Sequence, residues 1–350
     1  VRIAVVTSKV PFVRGGAEIH ADQLCEALRR EGHEVELVAI PFKWYPPEEI
    51  LDHLMACRLL NLSESNATPI DRVIGLKFPA YHVRHENKVL WILHQFRTAF
   101  DLWGGPEADL AYYPNGKEVR EAILQAEQAL LPEARALFTN SKNVADRLQN
   151  HCGMDSEPLY HPPQGAEGFY FAEAKDYLYY PSRLAPLKRQ ALIIEAMALC
   201  KEPVRVVFSG APDTPGYAGT LEQLAENFKV SHRVQWAGRV SEEDKLKLYA
   251  EAIGILFPPK DEDYGYITLE AMLSSKPVLT CADSGGPLEF VLHEETGLVT
   301  EPDALSVARG MDRLWKERAF AREAGLSGNI RYNDMGISWK RVVEVLVNEN

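Results

Sequence analysis

The feature that most constrains this fold is a pattern the chain runs through twice, in which short apolar strands alternate with loops and amphipathic helices. Residues 1–7 read as a buried parallel strand, a loop with Gly15-Gly16 follows, and residues 17–30 carry a helical stripe through Ile19, Leu24 and Leu28. Gly32 stops that helix, and residues 34–40 form the next strand. Further strands are expected at 73–76, 89–93 and 137–139, with Ser141 as N-cap of a helix over 142–149. Residues 157–173 then gather Pro158, Pro162, Pro163, Gly165 and Gly168 without helical period, as a connection between domains does. Beyond it the pattern restarts, with strands at 177–180, 204–209, 234–236, 253–257 and 278–280.

Alternation of this kind predicts an α/β fold of two Rossmann-like, doubly wound parallel sheets. The expected domains are residues 1–165 and 166–335, followed by 336–350. That last segment holds a helix over 338–347 whose apolar face (Trp339, Val342, Val343, Val345, Leu346) is expected to cross back to the first domain. A length of 350 residues agrees with two cores.

A net charge of −12 with scattered Lys and Arg excludes a nucleic-acid partner, while an anionic substrate stays compatible with a few placed cations. The five cysteines, Cys25, Cys57, Cys152, Cys200 and Cys281, form no CxxC pair and suit a reduced cytoplasmic protein in which each is a small buried hydrophobe. No stretch reaches membrane-spanning length, so any membrane contact would be peripheral, at the inner face. No pattern selects an oligomeric state.

The chemistry concentrates in the second half. In Glu262-Asp-Tyr264-Gly265-Tyr266-Ile267-Thr-Leu-Glu270, two carboxylates bracket a helix start. Gly265 lets the backbone pass close to a ligand, and the helix beginning near Ile267 offers N–H groups to a diphosphate. Glu270, one turn in, can accept from the vicinal hydroxyls of a ribose, and Glu262 from a second sugar ring. Arg183-Leu-Ala-Pro-Leu-Lys188, after that half's first strand, supplies two cations where a parallel sheet opens to its ligand. Fixed cations there stabilise a departing diphosphate more in the transition state than in the ground state. Asp261-Glu262-Asp263 also reads as a DxD, a metal-binding signature, but it lies inside the Glu262 to Glu270 pattern, and Arg183 and Lys188 already provide the charge. No metal or other cofactor is therefore expected.

The whole chain resembles glycosyltransferase family four, the retaining enzymes of GT-B fold. The resemblance rests on Gly15-Gly16-Ala-Glu18, Arg183 to Lys188, Gly238-Arg-Val240-Ser-Glu-Glu243, the Glu262 and Glu270 pair, and Ser284-Gly-Gly-Pro-Leu-Glu289. It implies that two Rossmann-like domains face across a cleft, with the donor nucleotide sugar in the second and the acceptor in the first. Arg183 and Lys188 would hold the diphosphate, Glu270 the ribose and Glu262 the donor sugar. The segment around Val240 and the stretch from Tyr264 through Tyr266 and Ile267 complete the donor contacts, and Gly16 approaches the phosphate. His94, in Trp91-Ile-Leu-His94-Gln-Phe-Arg97, matches a histidine near the reacting sugar carbon, with Arg97 and Asp101 behind it as candidates for sugar or acceptor contacts. Lys188-Arg189 stands where the family has Lys-Gly, an aromatic residue of the family is Tyr264 here, and Pro163-Gln164-Gly165 replaces an Asn-Gly.

The implied reaction is retaining transfer from a UDP-sugar, with a GDP-sugar next, to a hydroxyl of a glycan, a lipid-linked sugar or a small molecule. The alternatives are a GT-B nucleotide-sugar epimerase and a sugar-nucleotide binding protein without turnover. A dehydrogenase is disfavoured because no GxGxxG follows either first strand.

Overall fold

The structure is a computed structural model that describes residues 1–106 and 108–348. The expected segments 1–165 and 336–350 are described here without Glu107 and residues 349–350, which lie outside the described residues. Contacts divide the chain into two compact units, one of Val1–Gln164 with the chain from Ser338 onward, the other Gly165–Ile337.

The first unit contains β1 (Arg2–Lys9), α1 (Gly16–Arg30), β2 (Glu34–Pro41), α2 (Glu48–Leu59), a small ribbon of β3 (Glu64–Ser65) and β4 (Thr68–Pro69), β5 (Arg72–Gly75), β6 (Lys88–Ile92), α3 (Gly116–Leu130), β7 (Ala136–Thr139), α4 (Lys142–Cys152) and β8 (Glu157–Pro158). The second contains β9 (Leu178–Pro181), α5 (Gln190–Leu199), β10 (Val206–Ser209), α6 (Tyr217–Asn227), β11 (Val234–Gly238), α7 (Glu242–Glu251), β12 (Ile255–Leu256), α8 (Tyr266–Leu273), β13 (Val278–Cys281), β14 (Gly297–Thr300), α9 (Ala304–Lys316) and α10 (Arg318–Asp334). The last helix, α11 (Trp339–Asn348), belongs to the first unit.

Each unit is built on a six-stranded sheet, ordered β2-β1-β5-β6-β7-β8 in the first and β11-β10-β9-β12-β13-β14 in the second. Every neighbouring pair in the two sheets is parallel. The inner strands are buried on both faces, which explains apolar runs such as those of β5, β6, β10 and β13. In β6, Val89 and Trp91 pack with α1 and α11 while Leu90 and Ile92 pack on the opposite side with Val119 and Ile123 of α3.

Several boundaries differ from the sequence reading. Expected strand 253–257 shrinks to Ile255–Leu256, although Ile253 N–H still donates to Tyr177 O and Phe257 N–H to Leu279 O. Expected strand 204–209 starts at Val206, and β8 and β14 were not anticipated. Both are short edge strands, too brief to show a period, and β8 ends on Pro158, which an edge tolerates.

The apolar face of α11 finds its partner on α1. Val342, Val343 and Leu346 are buried in one cluster with Leu24 and Leu28, each contributing about 1.5–3 kcal/mol relative to exposure. Under this contact lies a histidine pair, His20 Nδ1 to His161 Nε2 at 2.9 Å, with the rings of Trp91 and Trp339 against it. Burial drives the His20 pKa down to about 3, so the ring is neutral.

The cysteines are all free thiols, and burial raises the pKa of each, to about 11 for Cys25 and Cys281. Among the described residues, no helix is long and apolar enough to cross a membrane.

Candidate active site

In an open parallel sheet, a crevice forms at the carboxyl ends of two neighbouring strands whose connections leave in opposite directions. In the second unit those strands are β9 and β12, because the sheet grows through β10 and β11 on one side and through β13 and β14 on the other. The loop after β9 carries Arg183 and Lys188, and the loop after β12 carries Glu262 and leads into α8.

Both loops are held by named bonds. After β9, buried Gln190 clamps its own loop, donating to Arg183 O at 2.8 Å, and Tyr180 OH donates to Lys188 O. Lys260 N–H donates to Leu187 O at 2.8 Å and so ties the two loops together. The β12 loop pairs in turn with residues 283–286: Glu262 N–H donates to Ser284 O at 2.9 Å and Gly286 N–H to Glu262 O at 2.8 Å. A Cβ on Gly286 would stand 2.7 Å from the carbonyl oxygens of Asp263 and Tyr264, which accounts for glycine in the Ser284-Gly-Gly-Pro motif. Gly265 takes φ 87°, turning the chain into α8 without any capping side chain.

Across the crevice, the Lys188 ammonium forms an ion pair with Glu262 and stands 5.6 Å from the centroid of the Phe257 ring. Glu270 on α8 accepts from the Tyr249 hydroxyl and has Lys245 Nζ at 3.6 Å. Lys245 and Tyr249 are four residues apart on one face of α7 and reach the same carboxylate. Burial raises the Glu270 pKa above the ordinary carboxylate value, and Lys245 and the Tyr249 hydroxyl only partly counter it. Burial also works against the charge on Lys245, but Glu270 and Glu242 overcome it and raise its pKa. Arg189 grips Asp283 through two bonds of 2.7 and 2.6 Å and holds that carboxyl below its usual range.

The other residues expected at the donor site occupy nearby loops and the start of α8. Arg183 extends outward, its side chain 68% exposed, to Asp213 at 2.8 Å. Val240 follows β11 at the same end of the sheet, half-buried just ahead of the Ser241 cap of α7. Tyr264 is buried with its ring against Tyr266 and Phe290, and Ile267 packs on the core beside the α8 start.

The first unit has its own switch point, between β1 and β5. Gly16 opens α1 there, and the Glu18 carboxylate accepts from Gly15 N–H at 2.8 Å. The same carboxylate faces Lys77, on the loop after β5, at 3.8 Å. Burial lowers the Lys77 pKa and Glu18 partly restores it. His94, just beyond β6, points Nδ1 at Gln95 O, 2.7 Å away. A carbonyl only accepts, so Nδ1 carries a proton in this bond. Gln95 in turn donates to Glu127 at 3.4 Å and to Cys152 Sγ at 3.2 Å. Arg97 and Asp101, expected to reach toward a substrate, pair with each other through contacts of 2.8 and 2.7 Å.

Two family models account for nearly all of the chain. "Glycosyltransferase Family 4" matches residues 14–166 and "Glycosyl transferases group 1" matches residues 168–329. The chain belongs to the family-four glycosyltransferases. An uncharacterized glycosyltransferase of Methanocaldococcus jannaschii is 23% identical over 99% of this chain and 97% of its own length. A D-inositol 3-phosphate glycosyltransferase of Geodermatophilus obscurus is 27% identical over 73% of this chain and 61% of its own length. Among solved structures, a sucrose-phosphate synthase of Thermosynechococcus elongatus superimposes with TM-score 0.79 at 19% identity, covering 99% of this chain and 97% of that one. The Anabaena protein HepE, solved with UDP and glucose, superimposes with TM-score 0.73 at 16% identity, covering 99% and 98%. These likenesses make the fold GT-B.

In this glycosyltransferase, sequence reasoning singled out Lys188, Glu262 and Glu270 but missed the groups that hold them. Lys245 and Tyr249 could have been found from their spacing of four, just past the Gly238 to Glu243 motif. Lys77 carries no local signal, since only the topology brings β5 beside β1.

Proposed function

We propose that this glycosyltransferase transfers a sugar from a UDP-sugar, with a GDP-sugar next, to an acceptor hydroxyl, with retention at the anomeric carbon and without a metal ion. The observation that carries the reading is the Lys188–Glu262 pair across the β9/β12 crevice, beside the uncapped start of α8 and the buried Glu270. A diphosphate in the crevice would take Lys188 and the α8 N–H groups, releasing Glu262 to a sugar hydroxyl. Among the described residues the Arg183 side chain is tied by an ion pair to Asp213 that is largely exposed on the Arg183 side and costs little to exchange for a phosphate. These positive groups supply what a divalent cation would otherwise provide to the leaving group. Glu270 and Tyr249 together offer an acceptor and a hydroxyl to the ribose.

Uridine is favoured because the similar Anabaena structures were solved with UDP and with UDP-glucose. His94, with Nδ1 committed to the Gln95 carbonyl, is proposed to steady charge at the reacting carbon. The acceptor is a glycan, a lipid-linked sugar or a small molecule, and the inositol-phosphate enzymes among the relatives support the last.

Calorimetric titration with UDP, GDP, ADP and TDP in chelator tests the donor site. One diphosphate, UDP, should bind without metal and lose its affinity in Glu270→Ala and Lys188→Ala. Strict dependence on Mg²⁺ or Mn²⁺ would overturn the metal-free reading, and absence of binding to all four would overturn the donor site.

A further inference from the structure

Among the described residues of the second unit, Lys276 is the charged side chain that burial removes most completely from water, at 3% exposed. Its ammonium donates to Ala172 O at 2.8 Å and stands 4.7 Å from the centroid of the Phe171 ring. Among the described residues it makes no ion pair with a carboxylate. Buried charges are ordinarily matched by an opposite one, because the desolvation of an ammonium costs several kcal/mol that a single carbonyl does not repay. Burial accordingly drags the Lys276 pKa down to about 8, with Glu173 and Glu251 favouring its charge and Arg322 opposing it. At neutral pH the amine still carries its proton, with Glu173 and Glu251 near enough to favour it but, among the described residues, no carboxylate at ion-pair distance.

The position of Lys276 is remote from the crevice. It lies just ahead of β13, as Ile253 lies ahead of β12, so it marks the amino edge of a sheet whose carboxyl edge carries Lys188 and Glu262. At this edge a cavity of about 360 Å³ is lined by Lys276, Ser275, Phe171, Arg318 and Arg322, with Glu173 as the one carboxylate among its lining residues. Arg318 is the first residue of α10, whose N-terminus has no capping side chain and opens on the same cavity at Ala319. Both arginines have carboxylate partners, Asp176 at 3.0 Å and Glu173 at 3.4 Å, but those side chains are 74% and 77% exposed. Such exposed pairs are worth little and yield readily to a better anion.

We propose that this cavity binds a phosphate monoester, whose oxyanion supplies the counter-charge that Lys276 lacks and takes the two guanidinium groups and the α10 N-terminus as donors. Three cations that line one cavity beside a helix N-terminus without a capping side chain suit a tetrahedral dianion, which accepts from several directions at once. The cavity is at the small end of ligand pockets, about 300–1,000 Å³, which suits a small ester. A soluble metabolite and a lipid headgroup present the same chemistry.

Calorimetric titration of the full chain with glycerol 3-phosphate, alongside sedimentation with vesicles containing phosphatidic acid, separates the two sources. Binding of the soluble ester identifies a metabolite site, and binding of the vesicles alone identifies a headgroup site. In either case Lys276→Met and Arg318→Ala should each weaken binding about tenfold or more, as loss of a charge-assisted contact does. The same loss in Arg318→Ala should be seen when Lys188, at the opposite edge, is also replaced by Ala, which removes any share of binding at the crevice and keeps the two readings distinguishable. Arg318 is partly exposed, so its variant keeps the test decisive even if Lys276→Met fails to fold. The proposal is overturned if neither probe binds, or if Arg318→Ala binds as tightly as the unaltered protein.

Discussion

At the β9/β12 crevice of the second unit the Lys188–Glu262 pair stands at the mouth, and Lys245 with the buried Tyr249 holds Glu270 behind it. Near the β1/β5 crevice of the first unit the heaviest polar network lies beneath the surface. There Glu127, wholly buried, accepts from Tyr81 OH at 2.7 Å and His82 Nε2 at 3.0 Å as well as from Gln95. Pairs at a mouth can exchange partners with a ligand, whereas a buried network has no alternative partner and acts as framework. The same architecture thus places charge where partners can exchange in one unit and where they cannot in the other. Substitutions should then report as lost affinity or turnover in the second unit and as lost stability in the first.

The largest expected effect tests the framework. Of the three donors to Glu127, Glu127→Ala leaves Tyr81 and His82 without this acceptor and Gln95 with Cys152 Sγ, and should lower the unfolding free energy by about 3–5 kcal/mol. Glu127→Gln keeps one oxygen as acceptor and should lose less than half as much. Denaturant unfolding of both variants gives the comparison directly. Two variants as stable as the unaltered chain would mean that Glu127 is not framework, and the contrast between the units would fail.

Next in size is the effect of Lys188→Ala, read in turnover. Removing one preorganised charge opposite a developing phosphate should lower kcat about 10²-fold, equivalent to about 2.7 kcal/mol. Stability should change by less than about 1 kcal/mol, because the Lys188–Glu262 pair is still partly solvated, at 14% and 25% exposure. A large drop in melting temperature at nearly normal kcat would place this pair with the framework groups instead.

The same contrast explains what could be read from the sequence. Both sheets were legible because parallel strands buried on two faces leave long apolar runs, such as the one through Val5 and Val6. The second unit's site was legible in part because its residues fall in two short segments, Arg183 to Lys188 and Glu262 to Glu270, whose spacing reflects one loop and one helix turn. The partners of Glu270 come from α7, and Lys77 meets Glu18 only because β5 inserts beside β1. Contacts made by strand order rather than by local period leave no trace in a single sequence. Arg97 and Asp101 were legible as a polar pair in one loop, and their mutual ion pair is local, four residues apart.

Smaller again, and confined to the first unit, is a dependence on pH from His20. Its folded pKa, about 3, is depressed from an ordinary 6.5, so the folded state holds fewer protons than the unfolded state between these values. The stability this group contributes is therefore present above pH 6.5 and is lost as pH falls toward 3, at up to about 1.4 kcal/mol per pH unit. His161, beside it, is depressed by the same burial and by His20 itself, and adds to the slope. Replacing His20 with Phe removes one titrating ring from this pair and should flatten the loss between pH 6.5 and 4.5 by about half. Identical slopes for the two proteins would show that other groups govern the acid limb.

The smallest effect compares one helix cap in each unit. Ser141 accepts from Val144 N–H at 3.1 Å ahead of α4, and Ser241 accepts from Asp244 N–H at 3.1 Å ahead of α7. The capping bond has the same length in both, but Ser141 is buried, whereas Ser241 is exposed and its hydroxyl also donates to Asp244 Oδ2 at 2.7 Å. Loss of the exposed cap lets water take over the freed N–H, so Ser241→Ala should cost about 0.5–1 kcal/mol. No water reaches the Val144 amide, which is itself buried, so Ser141→Ala should cost more, about 1–2 kcal/mol. Denaturant midpoints of the two variants decide between burial and cap chemistry as the controlling factor. Equal losses would mean that the bond alone sets the cost, and the argument that buried polar groups of the first unit serve as framework would then rest on Glu127 without support from its smaller neighbours.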